Sequence, residues 1–235
     1  MRRTRVLHCA LAAVLVVVLG GCGGDDTPIR TVTPQITASS PSPDLELAKD
    51  DRACKLLSPK ERESIAGQPL DIVSPSAVIK GGLVCRWVDT LKTPSPTSIK
   101  LSSQPLQTWV RGIPKHIETL QAGGRYPSKY SKRLQDAKKE ILRAPEKITD
   151  KRACEFFKLL VASSQGKKFQ KREGILFQGT QSGDYLMSWQ RCGEGIYTEI
   201  VYQEPGLQVS LALAQAVIRL GKLAHKRAAK IINSE

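Results

Sequence analysis

The sequence predicts an α+β domain, an antiparallel sheet covered by helices and stabilised by two disulfides. Strand-like runs rich in branched and aromatic residues recur between turn residues. Amphipathic stretches with helical spacing lie between and after them. Cys54, Cys85, Cys154 and Cys192 form an even set in a chain whose start reads as an export signal.

The elements follow in order. Ser58-Pro59-Lys60-Glu61 has a capping serine, proline at the first helical position and glutamate three residues after the cap, and Gly67 can close the helix it opens. Leu83 to Asp89 and Thr97 to Ser103 read as strands joined by the proline-containing connection Thr90 to Pro96. Leu106 to Gln121 is helical through Trp109, Ile113, Ile117 and Leu120, with Gly112 and Pro114 expected to kink or divide it. A very basic helix is predicted over Ser128 to Arg143, and another from near Asp150 to about Ala162. Strands return at Gly174 to Gln178, Tyr185 to Arg191 and Ile196 to Gln203, with Gly179 to Asp184 and Cys192 to Gly195 as turns. From Leu207 two patterns compete: Val209, Leu211 and Leu213 alternate as in a strand, whereas Ala214 to Ile232 is helical.

Ahead of this domain lies a different kind of sequence. Arg2, Arg3 and Arg5 precede an apolar run from Val6 to Leu19 broken only by His8, and glycines flank Cys22. This is the pattern of an export signal, residues 1–21, and the run is shorter than the about 20 residues a spanning helix needs. Leu19-Gly20-Gly21-Cys22 resembles a bacterial lipobox. The resemblance implies diacylglyceryl transfer to the Cys22 sulfur, cleavage before Cys22 and acylation of the new amino group, typically by palmitate. Small residues admit a peptidase to the backbone, and the thiol is the strong nucleophile nearby. More than one acyl chain gives stable anchoring, so the expected location is the outer face of the cell membrane.

Residues 22–50 are rich in Ser, Thr, Pro and Gly without an apolar period, and read as a disordered tether spanning on the order of 30 Å. Residues 51–235 remain as one domain. The formal charge of the chain is +14; the signal carries three arginines and the tether is net −3, so the domain is itself +14. Such a charge suits anionic lipid or wall polymer, but because the charges are scattered rather than blocked, a solvated basic surface with no dedicated partner is the preferred reading. Lys167, Lys168, Lys171 and Arg172 are its densest cluster. Nucleic acid is disfavoured by the compartment and by the few aromatic residues for base stacking.

The four domain cysteines allow three pairings. The favoured one joins Cys54 to Cys85 and Cys154 to Cys192, because both segments have related designs: Arg52-Ala53-Cys54 and Arg152-Ala153-Cys154 are each followed by a run with tryptophan near cysteine, Cys85-Arg86-Trp87 and Trp189-Gln190-Arg191-Cys192. Internal duplication and a chance match are both open explanations.

Lipobox, tether, Cys54-Lys55-Leu56-Leu57 before a capped helix, Cys85-Arg86-Trp87, a later cysteine-bearing strand and a basic C-terminal helix together resemble uncharacterised actinobacterial lipoproteins with a two-disulfide α+β domain. The resemblance covers most of Asp51 to Lys230, departs from the pattern around Ser128 to Ala162, and implies a surface lipoprotein without supplying a catalytic residue.

The search for chemistry is largely negative. His116 and His225 are not followed at ligand spacing by His or Cys, and are expected to be surface or capping residues without a metal. Ser164 to Lys167 has the Ser-x-x-Lys spacing of acyl-transferring enzymes but no companion motif, and Gly193-Glu194-Gly195 reads as a hairpin turn. Glu194 with Glu199 or Asp184 is the remaining candidate for paired carboxylates. Trp87 and Trp189 are candidates for a pocket wall or, more commonly, for packing against a disulfide. The expectation is a non-enzymatic envelope lipoprotein without a cofactor, binding an envelope protein or a small apolar or anionic ligand. The alternatives are an enzyme or enzyme modulator acting on cell-wall material, and a structural basic module apposed to the membrane.

Overall fold

The structure, a computed structural model, describes residues 52–73, 81–89, 91, 96–122, 128–165, 171, 173–179 and 185–234. The expectations for the signal, Cys22, the tether, Lys167, Lys168, Arg172 and Asp184 lie outside these residues.

Helix α1 (Arg52–Lys55) carries Cys54 and is followed by α2 (Pro59–Ala66). The predicted capping box forms: Ser58 Oγ accepts from the Glu61 amide, the Glu61 carboxylate accepts from the Ser58 amide, and Gly67 ends the helix at φ 67°, where a side chain would be strained. Strands β1 (Asp71–Val73), β2 (Leu83–Val88) and β3 (Ser98–Pro105) lead into α3 (Leu106–Ala122). Then come α4 (Ser128–Arg143), a 3₁₀ turn at Pro145–Lys147 and α5 (Asp150–Gln165). Strands β4 (Glu173–Gly179), β5 (Tyr185–Gly193) and β6 (Ile196–Glu204) precede the last helix, α6 (Leu211–Ile232).

The six strands form one antiparallel sheet in the order β1-β2-β3-β6-β5-β4. Helices cover both faces, so the sheet borders two cores, between which residues alternate along a strand. One face presents Cys85, Trp87, Ile99, Leu101, Met187, Trp189, Ile200 and Tyr202, under α1, α2 and α6. The other presents Cys192 and Tyr197, under α3, α4 and α5, whose Val110, Ile117, Leu134, Ile141 and Phe157 are buried. The predicted α+β class is therefore what the chain adopts, with its helices on both faces of the sheet.

Cys54–Cys85 fastens α1 to β2 on the first face, and Cys154–Cys192 fastens α5 to β5 on the second. The favoured pairing is the observed one. The two Arg-Ala-Cys segments are nevertheless not rotational copies. A twofold axis through the antiparallel β3/β6 pair, perpendicular to the sheet, keeps equivalent residues on one face, whereas the bridges lie on opposite faces.

The structure decides two points that the sequence left open and adds one that it did not show. Pro114 does not divide α3, which runs unbroken with Leu106, Val110, Ile113, Pro114 and Ile117 buried, so packing of that stripe offsets the missing proline donor. The alternation at Val209, Leu211 and Leu213 forms no strand; Ser210 Oγ accepts from the Leu213 amide and caps α6 instead. The three-residue β1, absent from the sequence reading, exists through pairing with β2.

The β5–β6 connection is a tight turn in which Glu194 and Gly195 both have positive φ, 55° and 76°. Leu106 donates its amide to Gly195 O at 2.9 Å, and Asn233 Nδ2 donates to Glu194 O at 3.0 Å. This turn ties the start of α3 and the end of α6 to the centre of the sheet.

Candidate functional site

Between the second sheet face and helices α3 and α5 lies a cavity of about 460 Å³, within the size range of small-molecule sites. Its walls follow from parity. In β6, Ile196, Thr198, Ile200 and Tyr202 fill the first core, which turns Tyr197 and Glu199 to the opposite face. Their cross-strand neighbours Ser102, Gln104 and Gln190 share that face and line the cavity with them.

The apolar side is built around three rings. Trp109 of α3 stacks on Tyr197 with centroids 4.7 Å apart and planes at 14°, and Phe157 of α5 meets both edge-on at 6.3 and 6.1 Å. Ile113, Leu160, Val161 and Leu176 extend the wall. Burial pushes the Tyr197 hydroxyl well above its ordinary pKa, and Glu199 adds to the effect, so the phenol is neutral.

The polar side centres on half-buried Glu199. Its Oε1 accepts from Ser188 Oγ at 2.9 Å and from Gln190 Nε2 at 2.8 Å, and Gln190 Nε2 also reaches Ser188 Oγ at 3.2 Å. His116 lines the cavity from α3. Its side chain is exposed at the cavity edge, as the sequence predicts for a surface histidine, and partial desolvation lowers its pKa below the usual value, with Glu199 partly opposing.

Glu194 and Glu199 do not form the predicted carboxylate pair, and the alternative partner Asp184 lies outside the described residues. Glu199 faces the cavity, while Glu194 sits in the β5–β6 turn, bonded to Arg191 at 3.2 Å on the side of α6. Ser164 lines the cavity, but its hydroxyl donates to Leu160 O at 3.1 Å. Trp87 and Trp189 are core residues, 0% and 1% exposed, and neither reaches the cavity.

His225 is also a correction. It is buried, not a surface or capping residue, and its Nδ1 lies 2.8 Å from Thr198 Oγ1, which lies 3.0 Å from Ser103 Oγ. Burial and Arg191 push its pKa down to about 4, against opposing contributions from Glu194 and Glu173. With Ser103, Thr198 and His225 all enclosed, this chain of groups cements α6 to the sheet.

A second cleft, about 530 Å³, lies over α4 and α5. In it Arg152 binds Glu140 and Glu155, each at 2.6 Å, and lies over the Phe156 ring. Among the described residues, no group of three or more His, Cys, Asp or Glu side chains is placed to hold a metal, and no helix is long and apolar enough to cross a membrane.

Trp109 was legible only as part of a helical stripe and its pairing with Tyr197 was not, because the two are distant in sequence and meet only through the docking of α3 on β6. One signal was present: in Tyr197-x-Glu199-x-Val201 a carboxylate shares the strand face of an aromatic and a branched residue. No family model, curated protein or solved structure matches the chain.

Proposed function

We propose that this chain is a lipid-anchored, extracytoplasmic binding protein, akin to the actinobacterial lipoproteins it resembles, whose domain holds a small amphipathic ligand in the cavity between α3, α5 and the sheet. The observation that carries the reading is the meeting of the Trp109–Tyr197–Phe157 wall with the Glu199–Gln190–Ser188 cluster in one space of ligand size. An apolar wall with a few fixed polar groups is suited to retention and orientation. Binding is favoured over catalysis because, among the described residues that line the cavity, Glu199 is the one carboxylate. The anchor rests on Leu19 to Cys22.

Two measurements test this reading. Native mass spectrometry of the protein exposed to envelope extract should show a retained small molecule, reduced at least tenfold by Trp109→Ala; no retained molecule, or equal retention by the variant, overturns it. Cys22→Ala should abolish incorporation of a fatty-acid probe, and continued labelling refutes the anchor.

A further contact with anionic lipid or wall polymer is supported by α4, where Lys129, Lys132, Arg133, Lys139 and Arg143 are exposed beside Leu142. Binding to anionic vesicles that disappears in moderate salt is the expected signature, because exposed charges are screened within about 8 Å. Equal binding to neutral vesicles contradicts it.

A further inference from the structure

We propose that the cavity's occupant joins a cationic amine head to an apolar, ring-bearing body, with the amine at Glu199 and the body against Trp109, Tyr197 and Phe157. The proposal rests on the cavity being a binding site.

Among the described residues no cation forms an ion pair with Glu199: the donors that reach it, Ser188 and Gln190, are neutral, and both go to Oε1. From β3 the cavity is lined by Lys100, but this residue is exposed, lies opposite Arg86 across the ladder, and makes no ion pair with Glu199. From α3 comes His116, an exposed imidazole whose pKa its surroundings shift down, away from the charged form. From α5 come Ser164 and apolar side chains, and from β5 comes the amide of Gln190.

A half-buried carboxylate in a cavity with one apolar side is best compensated by a cation that arrives with the ligand, because the charge-assisted hydrogen bond offsets the water both groups lose. The aromatic wall acts in the same direction, since ring faces attract cations. A carboxylate or phosphate head is repelled there, even though the domain as a whole is basic. Screening confines that wider field to about 8 Å at physiological salt, so the contact charge decides the selectivity.

Three probes of one shape separate the possibilities: 4-phenylbutylamine, 4-phenylbutanol and 4-phenylbutyrate, titrated calorimetrically into the full chain in zwitterionic nanodiscs against empty nanodiscs. The ammonium should bind at least tenfold more tightly than the alcohol, with the carboxylate weakest. Glu199→Gln should remove that preference while leaving the alcohol within twofold, and Trp109→Ala should weaken all three. Equal affinities, or tightest binding of the carboxylate, overturn the cationic head and leave the binding cavity standing. No binding by any probe, or binding indifferent to Trp109→Ala, overturns the cavity reading as well. Should Glu199→Gln fail to fold, the order of the probes on the unaltered chain still decides.

Discussion

Glu61 and Arg227, far apart in the chain, meet in a fork: Arg227 Nη1 lies 2.8 Å from Glu61 Oε2 and Nη2 lies 2.9 Å from Oε1. Oε2 also accepts from the Ser58 amide at 2.7 Å, and Arg227 Nη1 donates to Leu56 O at 2.7 Å. The carboxylate that caps α2 thus also docks α6 onto it. Arg227, first among the causes, holds the Glu61 carboxyl below its usual pKa. Both side chains are partly exposed, which limits the pair to about 1 kcal/mol of coupling. A double-mutant cycle with Glu61→Gln and Arg227→Met, read by urea unfolding, should return that coupling, and a value near zero refutes the docking role. Ser58→Ala should cost about 1 kcal/mol by loss of the cap.

His225 predicts a pH dependence. Its folded pKa, about 4, lies below the ordinary histidine value of 6.5, so protonation favours the unfolded chain. The stability linked to this group is complete above pH 6.5 and declines as pH falls toward 4, by on the order of 3 kcal/mol. Unfolding free energies measured from pH 7.5 to 4 should show the decline, and His225→Gln should flatten that part of the profile. An unchanged profile in the variant refutes the assignment.

Much of this architecture was readable in advance where a single local rule governs a segment. The capping box, the helix Ser128 to Arg143 and the turn at Glu194-Gly195 each follow from neighbouring residues alone. What was missed depends on partners remote in sequence. Pro114 is tolerated because the stripe around it is buried, β1 exists because β2 pairs with it, and His225 is enclosed because α6 crosses Thr198. The cavity belongs to the same class, since Glu199 was a candidate but its partners were assigned by nearness in sequence to Glu194. Strand parity sends Glu199 one way, and its neutral partners come from β5.

Gly221 gives a prediction opposed to helix propensity. A Cβ there would overlap the ring of Trp189, which is 1% exposed and flanked by the sheet. Gly221→Ala normally gains about 1 kcal/mol in a helix interior, but overpacking against a rigid indole costs about 1–3 kcal/mol. A net loss of stability is expected, with a change in Trp189 fluorescence or near-ultraviolet circular dichroism. A stabilised variant with unaltered signals contradicts the close approach.

The two disulfides should contribute independently. Their loops, with separations of 31 and 38 residues, neither nest nor overlap, and each closure restricts the unfolded chain by about 4 kcal/mol in the chain-entropy model. In the folded state Cys54–Cys85 belongs to the core under α1, α2 and α6, whereas Cys154–Cys192 belongs to the core under α3, α4 and α5. The intervening sheet leaves them no shared packing partner, and sites without shared partners are additive within about 0.5 kcal/mol. Cys54→Ser/Cys85→Ser and Cys154→Ser/Cys192→Ser should therefore each lower the unfolding free energy by a similar amount, and the combined variant by their sum. That sum, about 8 kcal/mol, is comparable with the 5–15 kcal/mol stability of ordinary domains. Denaturant titration should accordingly find the combined variant largely unfolded or close to it, while each single-bridge variant still gives a cooperative transition. Strong non-additivity, or a negligible effect of either bridge, contradicts the picture of separate clamps on opposite faces of one sheet.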